Sequence, residues 1–314
     1  MPVVNEANQW KRVNGGSPSS VNERAPAFVL VSLGAVWLTG RGGVSLASHS
    51  AEGSVTAGRL TQSPPGGSLC IEGEEQAMAA NQPVAIVFDT FGTVVDWRGS
   101  LVAELTAFGR TRRVEADWTA LVDAWRGAYR PSMQRVRSGE LPWMKLDALH
   151  RMSLDRLVAE FGIKGLSEAD LRHINLGWHR LHGWTDSVPG LTRLKRKFII
   201  GPLSNGNVAL LTNMAKFAGL PWDVVFGSDV FRHFKPDPET YLGVAGLLSL
   251  EPGQVMMAAA HNGDLASARK CGLMTAFFPR PTEYGPHQKR DYAAEQDWDV
   301  VATDIEDLAT KLGC

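Results

Sequence analysis

Cysteine is scarce in this sequence, and net charge is almost absent. Cys70, Cys271 and Cys314 are the three cysteines among 314 residues, and their spacing suits neither zinc nor redox chemistry. They are typical of incidental thiols in a reducing compartment. Lys and Arg number 32 against 33 Asp and Glu, a formal net charge of -1, which offers no electrostatic footprint for nucleic acid or anionic lipid. We therefore expect neither nucleic acid nor a membrane as a partner.

Long apolar segments are also missing. The longest, residues 25–38, is well below the roughly 20 residues that a membrane span requires. Basic residues precede this segment and small residues follow it, which leaves open a secretory signal within residues 1–50 and a periplasmic location. The preferred interpretation is a cytoplasmic protein. Residues 1–77 are rich in Gly, Ser, Pro and Asn and are expected to be a disordered or non-native extension, with Met78 as the natural start.

The sequence does contain a series of short apolar runs typical of buried strands. The first, Val84 to Asp89, ends in a polar residue and a glycine turn, and helical stretches separate it from the later runs. Those later runs are Lys197–Ser204, Trp222–Ser228, Gln254–Ala260 and Leu273–Phe278. This alternation predicts a parallel α/β sheet. Residues 99–189 have helical spacing and predict an inserted helical subdomain, so the α/β core comprises residues 82–98 and 190–314.

The first strand leads into the segment Phe88-Asp89-Thr90-Phe91-Gly92-Thr93, whose pattern suits a catalytic carboxylate. The end of a buried strand holds an aspartate rigidly, and the glycine lets backbone N–H groups turn toward a bound anion. This segment resembles the nucleophile loop of the haloacid dehalogenase superfamily. Its extension, VVDWRG from Val94 to Gly99, resembles the type II, or L-2-haloacid, dehalogenases. The resemblance covers about residues 82–312 and implies a Rossmann-like parallel sheet core with an inserted helical cap.

Three more motifs follow in the order that the superfamily uses, each at the end of a strand-like run. Ser204 and Asn205 resemble a motif whose serine helps to hold the substrate carboxylate and whose asparagine faces the leaving halide. Lys235 resembles the lysine that keeps the nucleophile ionised, and Tyr241 resembles the tyrosine that supports this lysine. Asp264 resembles the acidic residue that orients or activates the hydrolytic water.

Further candidate site residues are assigned from the same resemblance. Arg126 resembles the arginine that receives the departing halide, with a surface arginine on a helix as the alternative. Thr93 is expected, together with loop amides, to hold the substrate carboxylate. His261 departs from the resemblance, because those dehalogenases carry asparagine there and a bulky aromatic residue in place of Gly263. We expect His261 to be a proton acceptor or a supporting residue, and a purely structural histidine is equally open.

Phe91 distinguishes two reactions of the superfamily. Its phosphatases usually carry a second aspartate at this position, because a leaving alkoxide needs a general acid, whereas a halide leaves without a proton. We therefore predict an (S)-2-haloacid dehalogenase that hydrolyses small 2-haloacids to 2-hydroxyacids through an ester on Asp89, with no metal or cofactor required.

Two alternatives to this prediction stay open. One is a Mg²⁺-dependent phosphatase, in which Asp89 and Asp264 would hold the metal. The other is a non-catalytic α/β binding protein. A homodimer is also left open.

Overall fold

The computed structural model describes residues 82–286 and 288–314. The expected N-terminal extension, residues 1–77, and the alternative signal segment, residues 1–50, lie outside these described residues. Both stay predictions. Within the described residues, no helix is long and apolar enough to cross a membrane.

Strands of the described residues form a six-stranded sheet and a two-stranded ribbon. They are β1 (Ala85–Phe88), β2 (Val95–Asp96), β3 (His182–Gly183), β4 (Ile199–Ser204), β5 (Phe226–Gly227), β6 (Val255–Ala259), β7 (Met274–Phe277) and β8 (Val300–Val301). The sheet has the order β5-β4-β1-β6-β7-β8, and its neighbouring strands are parallel. Every apolar run that predicts a strand contains one, which confirms the Rossmann-like α/β class. The two-residue β8 carries no such run, so the sequence pattern misses it.

The register of the central strands brings their carboxyl ends to one edge of the sheet. Phe88 in β1 pairs with Pro202 in β4 and with Ala258 in β6. By this register Asp89 lies opposite Leu203, and Asn205 follows β4 two residues later at the same edge of the sheet. In parallel α/β sheets this edge is where ligands bind, because the loops that follow the strands all open there.

The α-helices of the described residues fall into two groups. Those between β2 and β3 form the insertion: α1 (Trp97–Arg112), α2 (Trp118–Arg137), α3 (Leu146–Glu160) and α4 (Glu168–Asn175). Those that follow β3 are α5 (Ser187–Leu194), α6 (Val208–Ala218), α7 (Ser228–Phe231), α8 (Pro238–Leu248), α9 (Asn262–Lys270) and α10 (Ile305–Lys311). β2 and β3 pair antiparallel, so the insertion leaves and rejoins the core through adjacent strands.

Helix α2 carries a buried apolar face that holds it in the insertion. Its buried residues recur at helical spacing: Trp118, Leu121, Val122, Trp125 and Met133. The indole Nε1 of Trp125 donates a hydrogen bond of 2.9 Å to the main-chain oxygen of His150 in α3. This bond ties the two helices together directly beside Arg126.

His150 is buried without a hydrogen-bond partner on either ring nitrogen in the described part of the chain. Its ring stacks on Trp178, with centroids 4.3 Å apart. Burial lowers the pKa of His150 to about 3, against the opposing charge of Asp147. The imidazole therefore stays neutral in the folded protein at pH values where the unfolded chain takes up a proton.

Replacing His150 with Phe should make stability less sensitive to acid. A histidine whose pKa falls from 6.5 to about 3 on folding lowers the free energy of unfolding as the pH drops through that window, because only the unfolded chain binds the proton. Between pH 7 and pH 5, wild-type protein should lose about 2 kcal/mol more than His150→Phe. Urea unfolding of both proteins at the two pH values measures the difference. An identical pH dependence would show that His150 titrates normally in the folded state.

Candidate active site

Asp89 lies directly after β1 and is only 9% exposed. The Nζ of Lys235 donates to its Oδ1 at 2.9 Å. Its Oδ2 accepts a hydrogen bond of 2.8 Å from the Thr93 hydroxyl, and the Nδ1 of His261 lies 2.8 Å from the same oxygen. The carboxylate is therefore held on both oxygens.

The surroundings of Asp89 keep it ionised. Burial on its own would raise the pKa of this carboxyl group, but the positive charge of Lys235 and the contact with His261 outweigh burial. The pKa of Asp89 is held well below its usual range. An ionised, poorly hydrated carboxylate at the end of a rigid strand is well suited to act as a nucleophile.

Lys235 bridges two carboxylates. Its Nζ donates hydrogen bonds to Asp89 and to the Oδ2 of Asp264. The hydroxyl of Tyr241 donates a hydrogen bond of 2.6 Å to the other carboxylate oxygen of Asp264. Burial alone would lower the pKa of Lys235, but the charges of Asp264 and Asp89 raise it above its usual range. Asn205 holds the same segment, because its Oδ1 accepts a hydrogen bond of 2.6 Å from the main-chain N–H of Lys235.

His261 lies between two carboxylates, one of which the sequence analysis misses. Its Nε2 lies 2.8 Å from the Oε2 of Glu283, a side chain that is only 1% exposed. Burial on its own would lower the pKa of His261, but Glu283 and Asp89 raise it well above 6.5. Burial also opposes ionisation of Glu283, yet the charge of His261 lowers its pKa. At neutral pH the described site therefore holds an imidazolium between two carboxylates.

The position of Glu283 depends on contacts that its segment makes with residues far away in sequence. Gly92 has φ +89°, and a Cβ there would lie 2.1 Å from the Oε1 of Glu283, so only glycine permits this approach. Arg280 anchors the segment that carries Glu283. Its guanidinium donates a hydrogen bond of 2.9 Å to the main-chain oxygen of Thr93 and one of 2.8 Å to each carboxylate oxygen of Asp186. An isolated glutamate in a proline-rich turn carries no sequence signal of such burial.

Arg126 reaches from α2 into the same site. Its guanidinium carbon lies 4.4 Å from the ring centroid of Tyr129 and 5.1 Å from that of Trp97. Its side chain is 12% exposed, and its Nη2 lies 3.7 Å from Glu283. Its Nη1 is buried and has no hydrogen-bond partner within the described residues. This placement rules out the alternative of a solvated surface arginine and leaves a buried donor for an anion.

Phe91, Thr93 and Ser204 are all buried, and the two hydroxyl groups make hydrogen bonds within the protein. Phe91 is 2% exposed, and its ring packs edge-on against Trp178 at 5.6 Å. The Thr93 hydroxyl is occupied by Asp89 and by the main-chain N–H of Ala260 at 3.1 Å. The Ser204 hydroxyl accepts a hydrogen bond from a neighbouring main-chain N–H at 3.2 Å.

A cavity of about 520 Å³ opens beside Asp89. The predicted site residues that line it are Asp89, Phe91, Arg126, Asn205, Lys235, Tyr241, His261 and Asp264. Thr93 and Ser204 do not line it. The basic side chains Arg126, Arg130, Arg137 and Lys235 outnumber the acidic Asp89 and Asp264. The cavity therefore favours an anionic ligand.

Known proteins share this fold and much of this sequence. A family model for haloacid dehalogenase-like hydrolases matches residues 84–272. An (S)-2-haloacid dehalogenase from Xanthobacter autotrophicus is 26% identical over 204 residues, which cover 61% of this chain and 73% of that enzyme. The crystal structure of a defluorinating L-2-haloacid dehalogenase has 50% identity and a TM-score of 0.72, covering 74% of this chain and 96% of that one.

A second solved L-2-haloacid dehalogenase is similar to the same extent. It has 50% identity and a TM-score of 0.72, and the match covers 73% of this chain and 98% of that one. This chain belongs to the haloacid dehalogenase-like hydrolases and, among them, to the L-2-haloacid dehalogenase family.

Proposed function

We propose that this protein hydrolyses 2-haloacids to 2-hydroxyacids, and that Asp89 carries the ester intermediate. The observation that supports this most directly is the pairing of an ionised, buried nucleophile with a buried guanidinium nitrogen of Arg126 that has no hydrogen-bond partner among the described residues. Both side chains line one cavity. The nucleophile and a site for the departing anion are thus present together.

In the first step, a carboxylate oxygen of Asp89 attacks C2 of the substrate opposite the halogen. The new bond to oxygen forms as the carbon–halogen bond breaks, and the halide leaves with both electrons of that bond. Arg126 and Asn205 receive the anion. Because halide charge is complete only after the bond breaks, these donors stabilise the transition state more than the bound substrate.

In the second step, water attacks the carbonyl carbon of the ester, and His261 is placed to take its proton. Ester formation removes the charge of Asp89, so one of the two anions that stabilise the imidazolium is lost. Its pKa then falls, His261 releases a proton through the cavity that it lines, and Nδ1 becomes a base facing the ester. Glu283 holds the opposite nitrogen protonated. His261 next returns the proton taken from water to the leaving alkoxide. The restored Asp89 carboxyl group passes its remaining proton to His261, which regenerates the carboxylate and the imidazolium.

Asp264 serves, in this mechanism, to position Lys235. Both of its oxygens accept hydrogen bonds, one from Lys235 and one from Tyr241. The ammonium so held lies 2.9 Å from Asp89 and stabilises the oxyanion that forms when water attacks. The sequence-based expectation assigned the hydrolytic water to Asp264, and the proximity of His261 to Asp89 favours His261 for that role.

The phosphatase alternative fits the observed residues less well. The Nζ of Lys235 donates to both Asp89 and Asp264, so a cation already occupies the space between the two carboxylates that would hold Mg²⁺. Phe91 supplies no acid for a leaving alkoxide.

Halide release from 2-chloropropionate, with and without EDTA, tests the proposed function. We expect chloride and lactate in equal amounts, at a rate that the chelator does not change. Release of phosphate from phosphate esters that EDTA abolishes would support the phosphatase instead. Absence of both activities would favour a binding protein.

Replacing Arg126 with Lys should act mainly on kcat. Lysine keeps the positive charge but loses the planar fork that contacts both the halide and the surrounding rings. We expect kcat to fall roughly tenfold to a hundredfold, about 1.4 to 2.7 kcal/mol of transition-state stabilisation. Steady-state halide release measures this, and Arg126→Ala should be worse. If both variants turned over at the wild-type rate, Arg126 would have no part in binding the halide.

A further inference from the structure

The cavity beside Asp89 is larger than a three-carbon substrate requires. Its volume is about 520 Å³, and pockets of about 300–1,000 Å³ commonly enclose ligands of drug size. A haloacid as small as 2-chloropropionate fills only a fraction of that space. The remainder can accommodate the rest of a longer substrate, and the side chains around it determine which chemical groups that substrate carries.

Helix α2 forms one wall of the cavity along a single face. Arg126, Arg130, Gln134 and Arg137 all line the cavity, and their spacing of four, four and three residues places them in one row on the helix. The Arg126 side chain is only 12% exposed, whereas Arg130 and Gln134 are exposed. Arg130 lies one helical turn, about 6 Å, beyond Arg126. The row therefore runs from the buried end of the cavity, at Arg126, to its open end.

Arg130 differs from the other basic residues of the cavity in having no carboxylate neighbour. Lys235 contacts two carboxylates, Arg137 donates a hydrogen bond of 2.8 Å to Asp237, and Arg126 lies 3.7 Å from a buried glutamate oxygen. Within the part of the chain that the structure describes, Arg130 makes no hydrogen bond or ion pair through its side chain. Its guanidinium is thus available to an anionic group of the ligand.

We propose that the substrates include 2-halo dicarboxylic acids, and that Arg130 binds their second carboxylate. The planar guanidinium can donate two parallel hydrogen bonds to a carboxylate. In extended 2-chloroadipate the second carboxylate lies about 5 Å from C2, close to the rise of about 6 Å between Arg126 and Arg130. This inference rests on the proposed function, because the reaction at C2 is the same. The Asp89 oxygen bonds to C2 as the carbon–chlorine bond breaks, and chloride leaves with both electrons.

Chloride release from 2-chloroadipate and from 2-chloro-6-methylheptanoate tests the proposal. The second acid has nearly the same shape but carries an isopropyl group in place of the distal carboxylate. We expect Arg130→Met to lower the ratio of kcat/KM for the dicarboxylate to that for its isostere by about tenfold, the contribution of one charged hydrogen-bonded pair. The change should arise in KM, because this contact is the same in the bound substrate and the transition state. An unchanged ratio would overturn the proposal.

Arg135→Met is the matched control. Arg135 is on the same helix and is paired with Glu140 at 2.7 Å, but it does not line the cavity. Its removal changes the net charge by the same amount, so the ratio should stay at the wild-type value. An equal fall in both variants would show long-range attraction of the more highly charged acid, and the proposal would be wrong.

Two further outcomes separate this inference from the proposed function. If wild-type enzyme releases chloride from 2-chloropropionate but not from 2-chloroadipate, the inference fails while the proposed function stands. If no halide is released from any of the acids, the proposed function itself fails. Melting temperatures of both variants show whether the fold is retained.

Discussion

Asp89→Asn should abolish halide release while leaving the fold intact. An amide has nearly the shape of the carboxylate, and its oxygen can still accept the hydrogen bond from Lys235, but it is a poor nucleophile. We expect kcat for 2-chloropropionate to fall by more than about 10⁴-fold, as for other enzymes that lose their nucleophile. Circular dichroism and melting temperature should confirm that the variant is folded. Residual activity within tenfold of wild type would exclude Asp89 as the nucleophile.

Isotope labelling distinguishes covalent catalysis by Asp89 from general-base catalysis. With enzyme in excess in H₂¹⁸O, a single turnover should place the label in Asp89, because the product oxygen comes from the carboxylate and water replaces it. The first 2-hydroxyacid formed should contain unlabelled oxygen. Label in the first product and none in Asp89 would show that water displaces the halide directly.

Glu283→Gln should separate the two chemical steps. Loss of the Glu283 charge leaves the first displacement at Asp89 nearly unchanged, but it removes the anion that fixes and strengthens His261 as a base. Ester hydrolysis should slow by about 10²- to 10⁴-fold, comparable to replacing the carboxylate that orients a catalytic histidine. The variant should therefore release one equivalent of halide per active site in a burst and then turn over slowly.

The ester intermediate and the pH profile provide independent readouts of the same variant. Intact-protein mass spectrometry should detect the carboxyalkyl group of the substrate, bound as the Asp89 ester, in Glu283→Gln. Because Glu283 raises the pKa of His261, its removal should move the acidic limb of the ester-hydrolysis profile to lower pH. A structural role for Glu283 would instead lower burst and steady-state rates together, with no accumulated ester.

His261→Asn combined with Glu283→Gln decides between His261 and Asp264 as the group that activates water. The double variant avoids leaving Glu283 as an unpaired buried charge, which would destabilise the fold. If Asp264 activates the water, asparagine at position 261 should support turnover, as in the dehalogenases that this sequence resembles. We expect instead that the double variant accumulates the ester as Glu283→Gln does.

The chain sequence by itself determined the sheet and the part of the site that the sheet carries. Apolar runs predict the strands, and a polar motif follows each of the central ones. Parallel strands end at a common edge, so Asp89, Asn205 and the residues after β6 had to meet there once the runs were read as strands. Lys235 and Asp264 are predicted from a different signal, the resemblance of their motifs to those of the family.

Only the tertiary structure decided the partners of these residues. Glu283 is separated from Gly92 by most of the chain. The residues around each of them do not predict that the Glu283 side chain packs against Gly92, in the space that a Cβ would fill. Likewise, Thr93 matches a residue expected to bind substrate, yet its hydroxyl lies against Asp89. A sequence pattern with a period of two or 3.6 residues shows which face of a strand or helix is buried. It does not encode which distant side chain lies within 3 Å of another, because that depends on how whole elements pack.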